Sequence, residues 1–256
     1  MRAVAVAVAV GALGMGELAS ATPATTPTTG AQTSVGVTTG STSTAAKQAP
    51  GDWVLRAQRR LNRLGCGAGA ADGQMGSQTR AAFMRFQAVH RLAQTGGMNA
   101  VTRKRLYRPK AAGCLHRAVP ARSGNGRRIV LSQRQNYVWL VGPAGRVVAE
   151  GGVIDNPGEL SPGIYTTGEK CGRAGRISRN TDGGSLFLYN FVRFGACGIG
   201  FHQIPVYMSS GNQMHDNWLL GTNLTQSHGC IRVSRRMSAQ MWDFTVRSAV
   251  VRVVTG

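Results

Sequence analysis

The hydrophobic pattern of the chain changes once, and this change limits the folds that are open to it. Between residues 51 and 110 the apolar residues recur at helical spacing, as at Val54, Leu61 and Leu64. Between residues 127 and 256 they fall into short runs of β-branched and aromatic residues with a period of two. We therefore predict an α+β chain of two domains, a small three-helix bundle followed by a mostly β domain.

Cap and turn residues place the elements within each domain. Helices are predicted over about residues 54–64, 79–92 and 99–106, with Asn99 able to cap the third. A fourth helix, over about 235–246, follows Ser234 as its cap. A hairpin turn is predicted at 142–145, and strands at residues 129–131, 137–141, 147–148, 164–165, 186–194, 199–201 and 250–254.

The sequence before the first domain has the pattern of an exported protein. Residues 1–21 hold an early cation, an apolar run shorter than the ~20 residues that span a bilayer, and a final Ala19-Ser20-Ala21. This predicts a cleaved signal peptide and a mature chain that does not span a membrane, with an uncleaved anchor as the alternative. Residues 22–50 are almost all Thr, Ser, Ala, Gly and Pro and predict a flexible tether, and residues 111–126 are interpreted as a connector.

The chain is strongly basic. Its 30 Lys and Arg residues against 10 Asp and Glu give a net charge of +20 over 256 residues. A hydrophobic content of 42% excludes a wholly disordered chain, and five cysteines are too few for a disulfide-only scaffold. The charge indicates an anionic partner, which could be nucleic acid, a membrane surface or a wall polymer. Export and the lack of a nucleic-acid-binding motif argue against nucleic acid, which leaves a membrane surface or an anionic wall polymer as the partner.

One short segment, 227–233, carries reactive chemistry. Cys230 follows a glycine at a turn that enters a strand, where a substrate can approach closely. The N–H groups of Gly229 and Cys230 are placed to converge on one oxygen as an oxyanion hole. A thiol needs activation by a base, and the candidate imidazoles are those of His202, His215 and His228.

The first domain resembles a known family. The strings LRAQRRLNRLG and DGQMGSQTRAAFMRFQ, followed by a short helix that ends at Leu106-Tyr107, resemble the bacterial peptidoglycan-binding module of the three-helix type. The family usually has an aromatic residue where this chain has Cys66. The resemblance implies that residues 51–110 bind peptidoglycan, with a purely structural spacer as the alternative.

The second domain resembles the L,D-transpeptidases, the cysteine enzymes that cross-link peptidoglycan stems. SHGCIR matches the family motif at every position, and Phe201-His202-Gln203-Ile204-Pro205 resembles the strand end that bears the family's first histidine. The resemblance implies Cys230 as nucleophile, His202 as general base and the Gln203 carbonyl as its orienting group. It further implies supporting roles for Ser227, His228, Gly229 and Arg232.

The spacing between the two motifs departs from the family. Residues 203–226 separate His202 from Ser227, which is longer than the usual spacer, whereas counting from His215 leaves too few residues. We predict His202 as the base because it lies on an apolar strand, while His215 lies in a polar loop where a solvated role is the default. The extra length is interpreted as a longer lid over the site.

The cysteine count fits a free nucleophile. If Cys230 stays a thiol, four cysteines remain, and these allow three pairings. We predict Cys66–Cys114, which would clasp the first domain because both residues flank it, and Cys171–Cys197, which would close a loop in the second. The alternative is that some of the four remain free thiols.

The resemblance implies a reaction without a cofactor or metal. Cys230 would attack a stem tetrapeptide, release its terminal D-amino acid, and pass the acyl group to an amine of a second stem, giving a 3→3 cross-link. Resolution by water would make the protein an L,D-carboxypeptidase. A zinc enzyme and a non-catalytic wall-binding protein are competing interpretations of the same residues. The expected location is secreted and cell-wall associated, or periplasmic where an outer membrane exists.

Overall fold

A computed structural model describes residues 52–256 as a helical module and a β module. The two modules belong to one compact unit, and the predicted α+β fold class is confirmed. The predicted signal peptide and tether, residues 1–21 and 22–50, lie outside the described residues. Within residues 52–256, no helix is long and apolar enough to cross a membrane.

The helical module consists of α1 (Asp52–Arg63), α2 (Ser77–Val89) and α3 (Ala100–Leu106). Its core is apolar and includes Leu61, Phe83 and Phe86, all fully buried. Asn99 caps α3 as predicted, because its side-chain oxygen accepts the Thr102 N–H at 2.8 Å. Three short helices thus share one small core.

A buried glutamine organises the loop between α1 and α2. The Gln58 side chain donates to Asp72 Oδ1 at 2.8 Å and to Thr79 Oγ1 at 3.0 Å, and its oxygen accepts the Gly73 N–H at 2.9 Å. Gly73 has a φ of +75°, a backbone conformation that favours glycine. These bonds satisfy a polar side chain that is only 1% exposed, and they fix the loop to α1.

The β module contains two five-stranded sheets and one α-helix. The first sheet has the strand order β3-β2-β1-β10-β4, and the second has the order β5-β6-β7-β9 with β8 paired to β6. The strands are β1 (Arg128–Ser132), β2 (Tyr137–Val141), β3 (Val147–Gly152), β4 (Gly163–Thr166), β5 (Arg176–Thr181), β6 (Leu186–Arg193), β7 (Gly200–Gln203), β8 (Val206–Tyr207), β9 (Ile231–Val233) and β10 (Val250–Val254). The pairs β1–β10 and β7–β9 are parallel, and all other pairs are antiparallel.

The main core lies between the sheets and includes residues from both. Leu131 and Val251 come from the first sheet, Phe201 and Ile231 come from the second, and all four are fully buried. Helix α4 (Arg235–Phe244) adds Met237 and Met241 to this core. Its predicted cap is confirmed, since Ser234 Oγ accepts the Met237 N–H at 3.2 Å.

The connector packs on the outer face of the first sheet. Arg117 stacks over the Tyr137 ring at 4.1 Å and donates to the carbonyls of Gln135 and Cys114 at 2.8 and 3.1 Å. The Trp139 indole donates to the Arg117 carbonyl at 2.8 Å. Arg117 therefore fixes the middle of the connector to the β module.

Both predicted disulfides are present. Cys66–Cys114 and Cys171–Cys197 have Cα–Cα separations of 4.9 and 5.3 Å, and Cys230 is a free thiol. Next to the first bridge, the Cys114 N–H donates to the Leu64 carbonyl at 2.8 Å. The bridge therefore ties the end of α1 to the connector.

Removing the first bridge should destabilise the protein. The Cys66→Ala/Cys114→Ala variant opens a loop of 48 residues, and the chain-entropy relation gives a loss of about 4 kcal/mol in the free energy of unfolding. Urea unfolding of the variant and the parent measures this difference. An unchanged free energy of unfolding would show that the bridge adds nothing to stability.

Candidate active site

Two parallel strands, β7 and β9, bring the predicted site residues to one face. Their register pairs Phe201 with Ile231 and His202 with Arg232. Phe201 and Ile231 point into the core. Because side chains alternate along a strand, His202 and Arg232 face the opposite side. Cys230 stands two residues before Arg232 and so faces that same side.

The His202 imidazole is buried and oriented by the main chain. It is 2% exposed, its Nδ1 lies 2.6 Å from the Gln203 carbonyl oxygen, and its ring stacks on Phe191. A carbonyl can only accept, so Nδ1 carries the proton and Nε2 is left as a bare acceptor. Burial lowers the pKa of His202 to about 4 despite the Gln203 contact, and Arg232 adds to the lowering. The ring is thus neutral at neutral pH.

The Cys230 thiol lies at the entrance to β9. It is partly exposed and donates to the Gly198 carbonyl at 3.3 Å. Burial raises the pKa of the thiol, while the backbone of Gly200 and the guanidinium groups of Arg232 and Arg193 oppose that rise. The resting thiol is therefore protonated, and a base must remove its proton before it can attack.

The turn before Cys230 is held by Ser227. The Ser227 N–H donates to the Asp155 carbonyl at 3.2 Å, and the Ser227 carbonyl accepts from Asn156 Nδ2 at 2.9 Å. Its hydroxyl accepts the Gly229 N–H at 3.1 Å. The Gly229 N–H is thus engaged by the Ser227 hydroxyl in this structure, and its role as an oxyanion donor stays a prediction. Gly229 has a φ of +116°, a value that favours glycine.

A cavity of about 840 Å³ opens over these groups. Of the residues predicted from the sequence, those that line it are His202, Ser227, His228, Cys230 and Arg232. Gln203 and Gly229 do not line the cavity and contribute through the backbone contacts already described. Within residues 52–256, no group of three His, Cys, Asp or Glu side chains could hold a metal ion.

His215 is less exposed than its sequence context predicted. It is half-buried, its Nδ1 lies 3.2 Å from the Asp216 carbonyl, and its Nε2 is buried without a hydrogen-bond partner. Burial lowers the pKa of His215, and Arg232 contributes to that lowering. The default of a solvated side chain is therefore wrong. His215 nevertheless does not line the cavity that Cys230 and His202 share.

Three arginines line the same cavity, and they differ in their partners. Arg193 is 3% exposed and donates to the carbonyls of Ala174 and Cys197. Arg232 is 7% exposed, and among the described residues its guanidinium makes no hydrogen bond or ion pair. Arg173 is exposed at the cavity wall. Within residues 52–256, a largely buried arginine that lines the cavity without a hydrogen-bond partner for its guanidinium indicates that the cavity suits an anionic group.

Asp155 and Asn156 are site residues that the sequence did not reveal. Both bond to Ser227, yet they lie in an irregular stretch after β3, about seventy residues earlier in the chain. The Asp155 carboxyl is 3% exposed, and its Oδ2 is buried without a partner. Burial raises the pKa of Asp155 to about 6. No local sequence signal marks such a contact.

Neutralising Asp155 should stabilise the protein above about pH 6. The pKa is raised on folding from 3.8 to about 6, so the native state binds more protons in that window and stability falls as pH rises through it. We expect Asp155→Asn to gain about 1–3 kcal/mol near pH 7.5 and to lose that advantage near pH 4. Urea unfolding at both pH values measures this, and a variant less stable than the parent near pH 7.5 would contradict the argument.

A sequence comparison identifies the first module. Residues 50–106 match the family described as "Putative peptidoglycan binding domain". The predicted peptidoglycan-binding module is therefore confirmed for this part of the chain. A comparison with curated proteins finds no match.

Solved structures with some likeness to the chain include two L,D-transpeptidases. The one from Xylanimonas cellulosilytica is 23% identical with a TM-score of 0.41, covering 79% of this chain and 93% of that one. The one from Stackebrandtia nassauensis is 15% identical with a TM-score of 0.42, covering 79% and 91%. A fused Zn-dependent amidase/peptidase with a peptidoglycan-binding domain, from Clostridium acetobutylicum, is 18% identical with a TM-score of 0.37, covering 78% and 94%. At these values the likenesses carry no conclusion about activity.

Proposed function

We propose that the protein is a cysteine-dependent L,D-transpeptidase that forms 3→3 cross-links between peptidoglycan stems through an acyl-enzyme on Cys230. The observation that carries the proposal is one shared cavity. It holds the chain's free thiol and a buried imidazole whose Nε2 is a bare acceptor. The SHGCIR motif supports the same assignment, as does the peptidoglycan-binding module.

The proton states support acylation by general-base catalysis. Since the thiol is protonated and the imidazole is neutral, His202 Nε2 takes the thiol proton as sulfur attacks the carbonyl of the scissile peptide bond. The imidazolium then gives that proton to the departing nitrogen of the terminal D-amino acid. The C–N bond breaks, and a thioester to Cys230 remains.

The second half of the reaction decides between two products. A side-chain amine of another stem attacks the thioester, His202 accepts its proton, and the thiol leaves with a proton, which gives the cross-link. Water in place of the amine gives an L,D-carboxypeptidase, which is the second candidate function. The wall-binding module favours the first, because it holds the enzyme where neighbouring stems are concentrated.

The charge of the cavity supports a stem peptide as substrate. Arg173, Arg193 and Arg232 line it, against the single carboxylate of Asp182. Stem peptides carry carboxylates, and a guanidinium binds a carboxylate through paired hydrogen bonds. In the part of the chain that the structure describes, Arg232 has no such partner, so a substrate carboxylate would satisfy it.

The location follows from the same proposal. We propose a secreted protein that its peptidoglycan-binding module retains at the cell wall, with the arginine-rich surface adding affinity for anionic wall polymers. If charge contributes, high salt should release protein from isolated wall. If high salt does not weaken retention, the peptidoglycan-binding module alone holds the protein at the wall.

Incubation with purified tetrapeptide muropeptides, followed by mass spectrometry, tests the proposed activity. Cross-linked dimers with loss of one D-amino acid would support the transpeptidase, and tripeptides alone would assign the carboxypeptidase. Unchanged muropeptides together with a thiol that no carbapenem acylates would leave a non-catalytic wall-binding protein. Activity lost to a chelator but not to iodoacetamide would indicate a metal enzyme instead.

A further inference from the structure

One arginine of the helical module reaches into the β module. Arg85, on α2, donates from Nε to the Cys66 carbonyl at 2.8 Å and from Nη2 to the Gly67 carbonyl at 2.8 Å. Its Nη1 donates to the carbonyls of Trp218 and Leu220 at 2.6 and 3.4 Å. A single planar guanidinium thus binds the main chain of both modules at once.

This arginine keeps its charge although it is largely enclosed. Burial lowers the pKa of Arg85 to about 10, which still leaves it cationic at neutral pH. Its hydrogen-bond partners are all carbonyl oxygens. Moving those carbonyls away would leave a buried cation without acceptors, which costs free energy. Arg85 therefore holds the carbonyls in place.

The carbonyls on the β side belong to the long segment that separates His202 from Ser227. Trp218 lies in a short 3-10 helix, Asn217–Leu219, and Leu220 follows it. The next residue, Gly221, donates its N–H to the Val153 carbonyl at 2.9 Å. A Cβ at Gly221 would lie 3.4 Å from the aliphatic part of Arg85, so the segment and the arginine are in close contact.

The same segment reaches the wall of the cavity. Leu220 forms an apolar cluster with Ile154 and Ile204, and Met214 packs against that cluster. Met214 also lines the cavity that contains Cys230. A continuous set of contacts therefore runs from Arg85 through Leu220 to the side chain of Met214.

We propose that Arg85 is a positioning residue, through which the helical module fixes the segment 204–226 and, with it, the Met214 wall of the cavity. The wall-binding module is then part of the catalytic apparatus and not a detachable anchor. The inference rests on the proposed function only where it is tested by substrate turnover. Loss of Arg85 should widen the cavity and weaken substrate positioning while leaving the thiol itself intact.

The test compares Arg85→Met, which removes every donor, with Arg85→Lys, which keeps the charge but loses the fork. Arg80→Met, at an exposed position on the same helix, is the matched control. For Arg85→Met we expect a rise of about 10- to 100-fold in KM for muropeptides, and an unchanged rate of Cys230 alkylation by iodoacetamide. Arg85→Lys should give an intermediate KM, and Arg80→Met should match the parent.

Hydrogen exchange of the full chain gives a readout that needs no turnover. The amides of residues 206–226 should exchange faster in Arg85→Met than in the parent, and those of β1 and β2 should not change. Unchanged exchange together with an unchanged KM would overturn the inference. If the parent forms no product, the proposed function fails, yet hydrogen exchange still decides the role of Arg85. If Arg85→Met does not fold, Met214→Ala must raise KM by itself, and an unchanged KM there overturns the inference.

Discussion

We expect Cys230→Ala to abolish covalent labelling by a carbapenem and to lower the proposed cross-link formation by at least about 10³-fold. The reason is chemical, because the alanine variant has no group that can form the thioester. The other four cysteines are bound in Cys66–Cys114 and Cys171–Cys197, so no second thiol replaces it. Intact-mass spectrometry after incubation with the carbapenem measures the adduct directly.

The control for this variant is structural. Cys230 is only partly buried, so Cys230→Ala should keep the parent's melting temperature and its affinity for isolated peptidoglycan. Retained wall binding with lost labelling separates the two activities of the chain. An adduct that persists in Cys230→Ala would place the nucleophile at another residue and would contradict the proposed acyl-enzyme on Cys230.

We expect His202→Ala to lower the rate of acylation by about 10²- to 10⁴-fold and His215→Ala to leave it nearly unchanged. Nε2 of His202 is the bare acceptor in the cavity, and the Gln203 carbonyl fixes the ring. Without the His202 imidazole, the Cys230 thiol must lose its proton to water. Because the pKa of the thiol is raised, only a small fraction of it is thiolate at neutral pH. The rate in His202→Ala should therefore recover as the pH rises toward the pKa of the thiol.

The pair of histidine variants is a matched comparison, because both rings are held by the carbonyl of the following residue. Time courses of the carbapenem adduct by intact mass, taken between about pH 6 and pH 9, follow the ionisation of the thiol. A large loss in His215→Ala with none in His202→Ala would reverse the assignment. Equal losses in both would contradict the assignment of His202 as the only base that acts on the Cys230 thiol.

Much of the fold could be predicted because its elements carry local signals. The run Tyr137–Val141 is a strand with those bounds, and Ser234 starts α4 where its cap position indicated. The strand β5, Arg176–Thr181, was missed. Its sequence RISRNT is polar and has no period of two, and it becomes a strand only because β6 supplies hydrogen bonds along its length.

The site residues likewise fall into those that local motifs predict and those that only tertiary contacts reveal. Cys230 and His202 stand in short motifs and were predicted, and the β7–β9 register then explains why they share a face. Asp155 and Arg85 belong to segments far away in the chain, and their roles arise from tertiary contacts with Ser227 and with Leu220. The engagement of the Gly229 N–H was equally invisible, because it depends on the rotamer of a neighbouring hydroxyl.

The contact between the modules joins one side chain, Arg85, to backbone carbonyls, and this difference decides which amino-acid substitutions it tolerates. Arg85 binds carbonyl oxygens, and a different side chain at position 218 or 220 would leave the same backbone oxygen in place. Substitution at those positions therefore leaves the acceptor oxygens in place, whereas substitution of Arg85 removes all four of its hydrogen bonds at once. With no counter-charge in the joint, there is also no ion pair for salt to screen. We therefore expect the contact between the two modules to be insensitive to ionic strength, as the wall-bound enzyme proposed here would require.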